Sequence, residues 1–134
     1  MLNKPEDILE QKKSETSILN LRIDKIITLE PKENITEQTL NSMENEFEIF
    51  KIWAKNEKLG FLVDSRRIKK FDSELRVFVQ KNVSHFANKY AIIISSGISS
   101  FLANIFIHIN RPNIPTKIFT TKEDAIRWLK SLEK

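Results

Sequence analysis

Two short runs constrain the fold more than anything else in the chain: LGFLV at 59–63 and YAIII at 90–94 carry no charged residue and expose no alternating polar side. A strand with one wet face alternates apolar and polar residues, whereas a strand covered on both faces does not. The pair therefore predicts neighbouring parallel strands with a layer on each side, and parallel strands need a crossover, usually a helix. Leu75, Phe78, Val79, Asn82, Val83 and Phe86 recur at helical spacing between the runs and supply that crossover, which Asn88-Lys89 closes.

The pattern extends in both directions. Residues 1–16 are mostly polar, and no periodic stripe follows Ile8 and Leu9, so they are expected to form a mobile tail. Ile18, Leu19, Leu21 and Ile23, then Ile26, Ile27 and Leu29, form two β-type runs about Asp24-Lys25, which predicts a hairpin ending at Pro31. Thr36 is expected to cap a helix reaching about Lys55, with Leu40, Met43, Phe47, Phe50 and Ala54 as its stripe, widened by Ile49, Ile52 and Trp53. Glu44, Glu46 and Glu48 fall on its polar, solvated side. A strand over 60–64, a loop over 65–70 and a helix opening at Phe71-Asp72-Ser73 follow. Beyond the second apolar run, the spacing predicts a helix over 98–110, a non-helical NRPNIP segment and a short strand over 117–119. The last element is a helix capped by Thr121 that presents Ala125, Ile126, Trp128, Leu129 and Leu132. The order β-β-α-β-α-β-α-β-α predicts an α/β domain over 17–134, with a mixed, mostly parallel sheet of about five strands and four helices.

Composition narrows the functional classes. A chain of 134 residues suits one core, and 40% hydrophobic with 30% charged residues is ordinary for a folded globular domain. The absence of cysteine excludes disulfides, thiolate metal sites and cysteine nucleophiles. The charged start MLNKPEDILEQKKSE has no apolar signal-peptide core, and the apolar run within 98–109 is broken by Asn104 and His108, short of the roughly 20 residues of a membrane span. A cytoplasmic setting without an integral membrane segment is expected. The net charge of +4 comes from 22 basic residues scattered among 18 acidic ones, which does not point to nucleic acid. His85 and His108 lack partners at helical spacing, and neither a phosphate-loop pattern nor a nucleophile elbow occurs, so no metal, no cofactor and no enzymatic activity are expected.

From about residue 17 onward the element order resembles the STAS family, the fold of bacterial anti-sigma-factor antagonists, and in particular its single-domain bacterial relatives of mostly unknown function. The local likeness lies in Val63-Asp64-Ser65, Ile68 and Phe71-Asp72-Ser73-Glu74-Leu75, similar to the family's strand, Asp, loop and Asp-Ser-Ser-Gly helix start. NRPNIPTKIFTTKEDAIRWL also resembles the closing part of the family's lipid-carrier-like relatives. The resemblance implies a non-enzymatic regulatory or protein-binding module, in which a serine at that helix start is phosphorylated by a partner kinase. Glu74 stands where the second serine would be and Leu75 where the glycine would be, which argues against that phosphoswitch.

Three candidate sites follow. Asp64, Ser65, Arg66, Arg67, Asp72, Ser73 and Glu74 form a partner-binding or regulatory rim at the end of a strand, although Asp72 and Ser73 also serve as helix caps. Ser95, Ser96, Gly97 and Ser99 form an anion or ligand site at a helix start, with simple capping as the alternative. Ile98, Phe101, Leu102, Ile105, Phe106 and Ile109 make a helix too apolar for one sheet face, expected to serve as a homodimer interface or to cover an apolar ligand, with burial beneath the NRPNIP segment as the alternative. The expected partner is a protein, with a carrier or sensor of a small lipid-like ligand as the alternative.

Overall fold

The computed structural model describes residues 2–97 and 111–133. Six strands cross one mixed sheet in chain order: β1 (Ile8–Lys13), β2 (Ser17–Arg22), β3 (Ile26–Pro31), β4 (Leu59–Asp64), β5 (Ala87–Ile93) and β6 (Thr116–Phe119). β1, β2 and β3 are antiparallel neighbours, and β3 to β6 are parallel. Helices α1 (Leu40–Ala54) and α2 (Ser73–Asn82) are the crossovers on either side of β4, and α3 (Lys122–Lys130) follows β6. The class is α/β with a mixed sheet, as the alternation of apolar runs and helical stripes implies.

Strand alternation divides the core in two. Ile27 and Leu29 of β3, Phe61 of β4, and Tyr90 and Ile92 of β5 join Met43, Phe47 and Phe50 of α1 and Leu75 and Val79 of α2 in the larger cluster. Ile26, Leu62, Ala91 and Ile93 join Ala125, Trp128 and Leu129 of α3, together with Leu2, in the smaller cluster. Both central strands are thus covered on both faces, which is why neither alternates in sequence. Helix α3 packs directly over Gly60, where a β-carbon would sit in ordinary contact, 3.5 Å from Leu129 and 3.4 Å from Ile26.

The first sixteen residues depart from the expected tail. Ile8–Lys13 pairs with β2 as an edge strand, giving six strands where about five were expected. Within β1 only Ile8 is even half-buried and the rest is exposed, so the strand is held by backbone pairing and leaves no hydrophobic period in the sequence. Leu2 and Asn3 are buried across the α3 side of the sheet, where the Asn3 amide donates to Thr28 Oγ1 at 2.8 Å and Arg22 donates to Asn3 Oδ1 at 2.6 Å.

Other boundaries move for local reasons. Helix α1 begins at Leu40, and its cap is Thr39, which accepts from Ser42 N at 3.2 Å, not Thr36. The Thr36 carbonyl is committed to Lys69 N at 2.8 Å, and Glu37 bridges Lys70, so this stretch is extended. Helix α2 stops at Asn82; Val83–His85 forms a 3₁₀ turn, and β5 starts at Ala87 because it pairs with Leu59. Thr121 caps α3 by accepting from Asp124 N at 3.2 Å, but the helix ends before Leu132, which is fully exposed. The fourth expected helix, over 98–110, lies outside the described residues.

Glu46 is the sharpest departure from the sequence pattern. Expected on a solvated side with Glu44 and Glu48, it is 0% exposed, while those two are exposed. The β1–β2 turn and the start of β2 cover it: its Oε2 accepts from Ser14 at 2.5 Å, from Ser42 at 3.2 Å and from Thr16 at 3.3 Å. Gln38 completes the cluster, accepting from Thr16 at 2.8 Å and donating to Ser17 Oγ at 3.0 Å. Glu46 Oε1 has no partner among the described residues. Burial pushes the Glu46 carboxyl up, and the hydroxyls of Ser14, Ser42, Thr16 and Ser17 offset this only in part. At the opposite side of the sheet, buried Lys89 reaches the last turn of α3, donating to the Trp128 and Ser131 carbonyls at 2.9 and 2.8 Å with its ammonium 4.8 Å from the Trp128 ring centre. A cation at a helix carboxyl end satisfies carbonyls that have no partner within the helix.

Two outcomes are expected. A Glu46 carboxyl raised in the fold favours its neutral form, so its stabilising contribution is full below the unfolded value of about 4.3 and is lost as pH rises through the folded value. Glu46→Gln should therefore melt above the wild type at pH 8, by roughly 3 °C or more, with the gap closing towards pH 4 in thermal scans. Lys89→Met should lower stability by about 1–3 kcal/mol in urea titration, by removing the charged hydrogen bonds that tie β5 to the end of α3.

Candidate functional site

The parallel strands, buried on both faces, leave an apolar gap on the α1/α2 side, towards their carboxyl ends. It is a cavity of about 290 Å³. Its floor is Leu29, Phe61, Val63, Tyr90, Ile92 and Ile118 from four adjacent strands, and Met43, Phe47 and Val79 approach from the two helices. Pro31, Gln38, Ser65, Ile68 and Phe71 border it where β3 leads into α1 and β4 into α2. This is the position in an open α/β sheet where ligands characteristically dock, outside the carboxyl ends of parallel strands.

The rim is built by Asp64. At the last position of β4 it accepts from Arg66 N at 3.1 Å and from the Arg66 guanidinium at 2.9 and 2.8 Å, a forked pair that turns the chain sharply. Burial alone would push the Asp64 carboxyl up; the side-chain and backbone hydrogen bonds and the charge of Arg66 outweigh it and hold the group below the usual carboxylate range. The loop is then stitched to the residues leading into α1. Arg67 donates to the Pro31 carbonyl at 2.7 Å, Lys69 N to the Thr36 carbonyl at 2.8 Å, and Lys70 lies 3.8 Å from Glu37.

The three sites expected from sequence therefore separate. In the first, Asp64 and Ser65 line the cavity, and Arg66 and Arg67 brace the loop. Asp72, Ser73 and Glu74 are exposed at the start of α2, and Asp72 occupies the cap position without a side-chain capping bond. In the second, Ser95 is half-buried and Ser96 and Gly97 are exposed just past β5, with Gly97 N 3.4 Å from Ser95 Oγ; Ser99 lies outside the described residues. The third, Ile98, Phe101, Leu102, Ile105, Phe106 and Ile109, lies wholly outside them. His85 is exposed on the turn after α2.

The cavity residues themselves were read from sequence only as core. Aliphatic positions that line a gap and positions that fill one carry the same pattern, since both face inward at strand or helix spacing. The one signal was Tyr90, the single tyrosine of the chain, opening an otherwise aliphatic run. Its ring stacks on Phe61 with centroids 5.2 Å apart, and behind it Phe47 and Phe86 meet edge to face at 4.9 Å. Burial pushes the Tyr90 phenol up, keeping it a neutral hydroxyl, and that hydroxyl makes no hydrogen bond to a described residue. Chemically, the arrangement can hold an apolar body against a rigid aromatic wall, with hydroxyl and amide groups at a few fixed points. Among the described residues no helix is long and apolar enough to cross a membrane.

Comparison with known proteins places the chain without assigning it an activity. Residues 15–133 match the family described as Domain of unknown function (DUF7793), a stretch that takes in every described element except β1 and the turn before it. No curated protein matches. A crystal structure of a protein with unknown function from Arthrobacter sp. FB24 is similar at 26% sequence identity, covering 83% of this chain and 90% of that one, with a TM-score of 0.30. With the family model spanning nearly the whole sequence, the chain belongs to the DUF7793 family.

Proposed function

We propose that this is a STAS-like binding module of the cytoplasm, without catalytic activity, whose working part is the apolar cavity and whose occupant is a small apolar ligand. The cavity carries the reading. A gap of about 290 Å³ lined mainly by aliphatic and aromatic side chains leaves apolar surface without packing partners, a cost that an apolar ligand removes on binding. Its place at the carboxyl ends of β3, β4 and β5 supports a binding role, as does the rim braced by Asp64, Arg66 and Arg67. A second reading, docking of a protein through the start of α2, draws on one observation: Phe71 lines the cavity, and Asp72, Ser73 and Glu74 follow it with exposed side chains. A ligand under Phe71 would then alter the surface a partner meets.

Native mass spectrometry of freshly purified protein, paired with titration by the neutral fluorophore N-phenyl-1-naphthylamine, tests the cavity. The expected outcome is a reproducible added mass or saturable fluorescence in the wild type. Val63→Phe, which fills the floor at a half-buried position, should weaken the fluorophore about tenfold or more while lowering stability by only about 1–3 kcal/mol. A clean apo protein with no saturable binding, or binding indifferent to Val63→Phe, defeats the reading.

A further inference from the structure

The polar exceptions in an apolar cavity fix what it selects. Tyr90 is the principal one. Its ring lies almost flat against Phe61, with planes 16° apart, so packing sets the direction of the hydroxyl. The residue is only 7% exposed, it lines the cavity, and its hydroxyl bonds to no described residue. The hydroxyl opens onto the apolar cavity, and a ligand that brings an acceptor to it gains a hydrogen bond there. The only carboxylate among the described lining residues is Asp64, and both its oxygens are already taken by Arg66. An ionic ligand would surrender its hydration there without meeting an unpaired countercharge. The volume, about 290 Å³, is at the lower end of the roughly 300–1,000 Å³ usual for small-molecule sites, too small for a two-chain lipid.

Building on the cavity as the binding site, we propose that its ligand is a small uncharged molecule, apolar over most of its surface, with one carbonyl or hydroxyl oxygen that accepts a hydrogen bond from the Tyr90 hydroxyl. Tyr90 is then the residue that separates a polar-tipped ligand from a plain hydrocarbon, and a lining with no Lys, Arg or His among its described residues, and with Asp64 already paired to Arg66, excludes charged analogues of the same shape.

Three probes of one shape test this: 2-acetylnaphthalene, its hydrocarbon isostere 2-isopropenylnaphthalene, and the anion 2-naphthoate, each titrated into wild type, Tyr90→Phe and Val63→Phe. The wild type should bind the ketone roughly three- to tenfold more tightly than the isostere, the worth of one net hydrogen bond. Tyr90→Phe should bind ketone and isostere alike, at the wild-type affinity for the isostere, and should melt at or above the wild-type temperature because it loses only an unpaired hydroxyl. The naphthoate should bind at least about tenfold more weakly than the ketone. A ketone preference that survives in Tyr90→Phe, or naphthoate bound as tightly as ketone, overturns the inference. If both neutral probes bind equally to wild type and Val63→Phe removes them, the cavity stands as the site and the role of Tyr90 falls. If no probe binds the wild type, both fall.

Discussion

Strand β4 is hydrogen-bonded along both edges, to β3 and β5, and packed on both faces, by α1 and α2 on one side and α3 on the other. Its six residues therefore have nowhere to place a charge until the strand ends. Asp64 is that end, and Arg66 neutralises it at once. The rest of the architecture follows from this confinement. The loop after β4 must turn within two residues, and its turn brings Arg67 and Lys69 onto the residues leading into α1. The two loops that lead into the crossover helices are thereby tied together, and the space between Met43, Phe47 and Val79 of those helices and the strand ends is the cavity.

Polar groups in the interior are matched with unequal completeness, and the differences are informative. Lys89 is engaged by two carbonyls and an aromatic face, and Arg22 by Asp24, Asn3 and a more distant Asp7. These are locks: one ties β5 to the end of α3, and the other ties the first residues to the hairpin. Glu46 is matched on one oxygen only, and it fastens the β1–β2 turn to α1 at the expense of a desolvated carboxyl. Tyr90 alone of these faces a space and not a partner. Interior networks that hold a fold together close on themselves. The Tyr90 hydroxyl at the cavity wall is outside any such network.

The rim and the cavity are one construction, since Asp64 and Ser65 line the space whose border their loop forms. Gln38 connects it to the buried polar cluster, lining the cavity while bonded to Thr16 and Ser17, one step from Glu46. The cavity wall is therefore backed by hydrogen bonds on one side and by the Phe47, Phe61 and Phe86 packing on another.

Much of the fold was legible in the residues alone, because hydrophobic period and capping chemistry act locally. LGFLV and YAIII read as strands covered on both sides, Thr121 as the cap of the last helix, and the stripe of Met43, Phe47 and Phe50 as a face packed on a sheet, and each is so in the fold. The edge strand Ile8–Lys13 was invisible because backbone pairing with β2, and not burial, holds it. Glu46 was misplaced because a helix shows which side is apolar but not which of its flanks another segment will cover; the turn at Ser14 to Thr16 made that choice. Thr36 lost its capping role to a carbonyl bond with Lys69, 33 residues away in the chain. The site divides in the same way. The sequence by itself determined that a strand would end at Asp64 beside a loop of arginines and lysines. Only the tertiary structure decided that those charges would brace the loop while a cavity opened beneath it, because a gap arises from distances between elements that no single segment encodes.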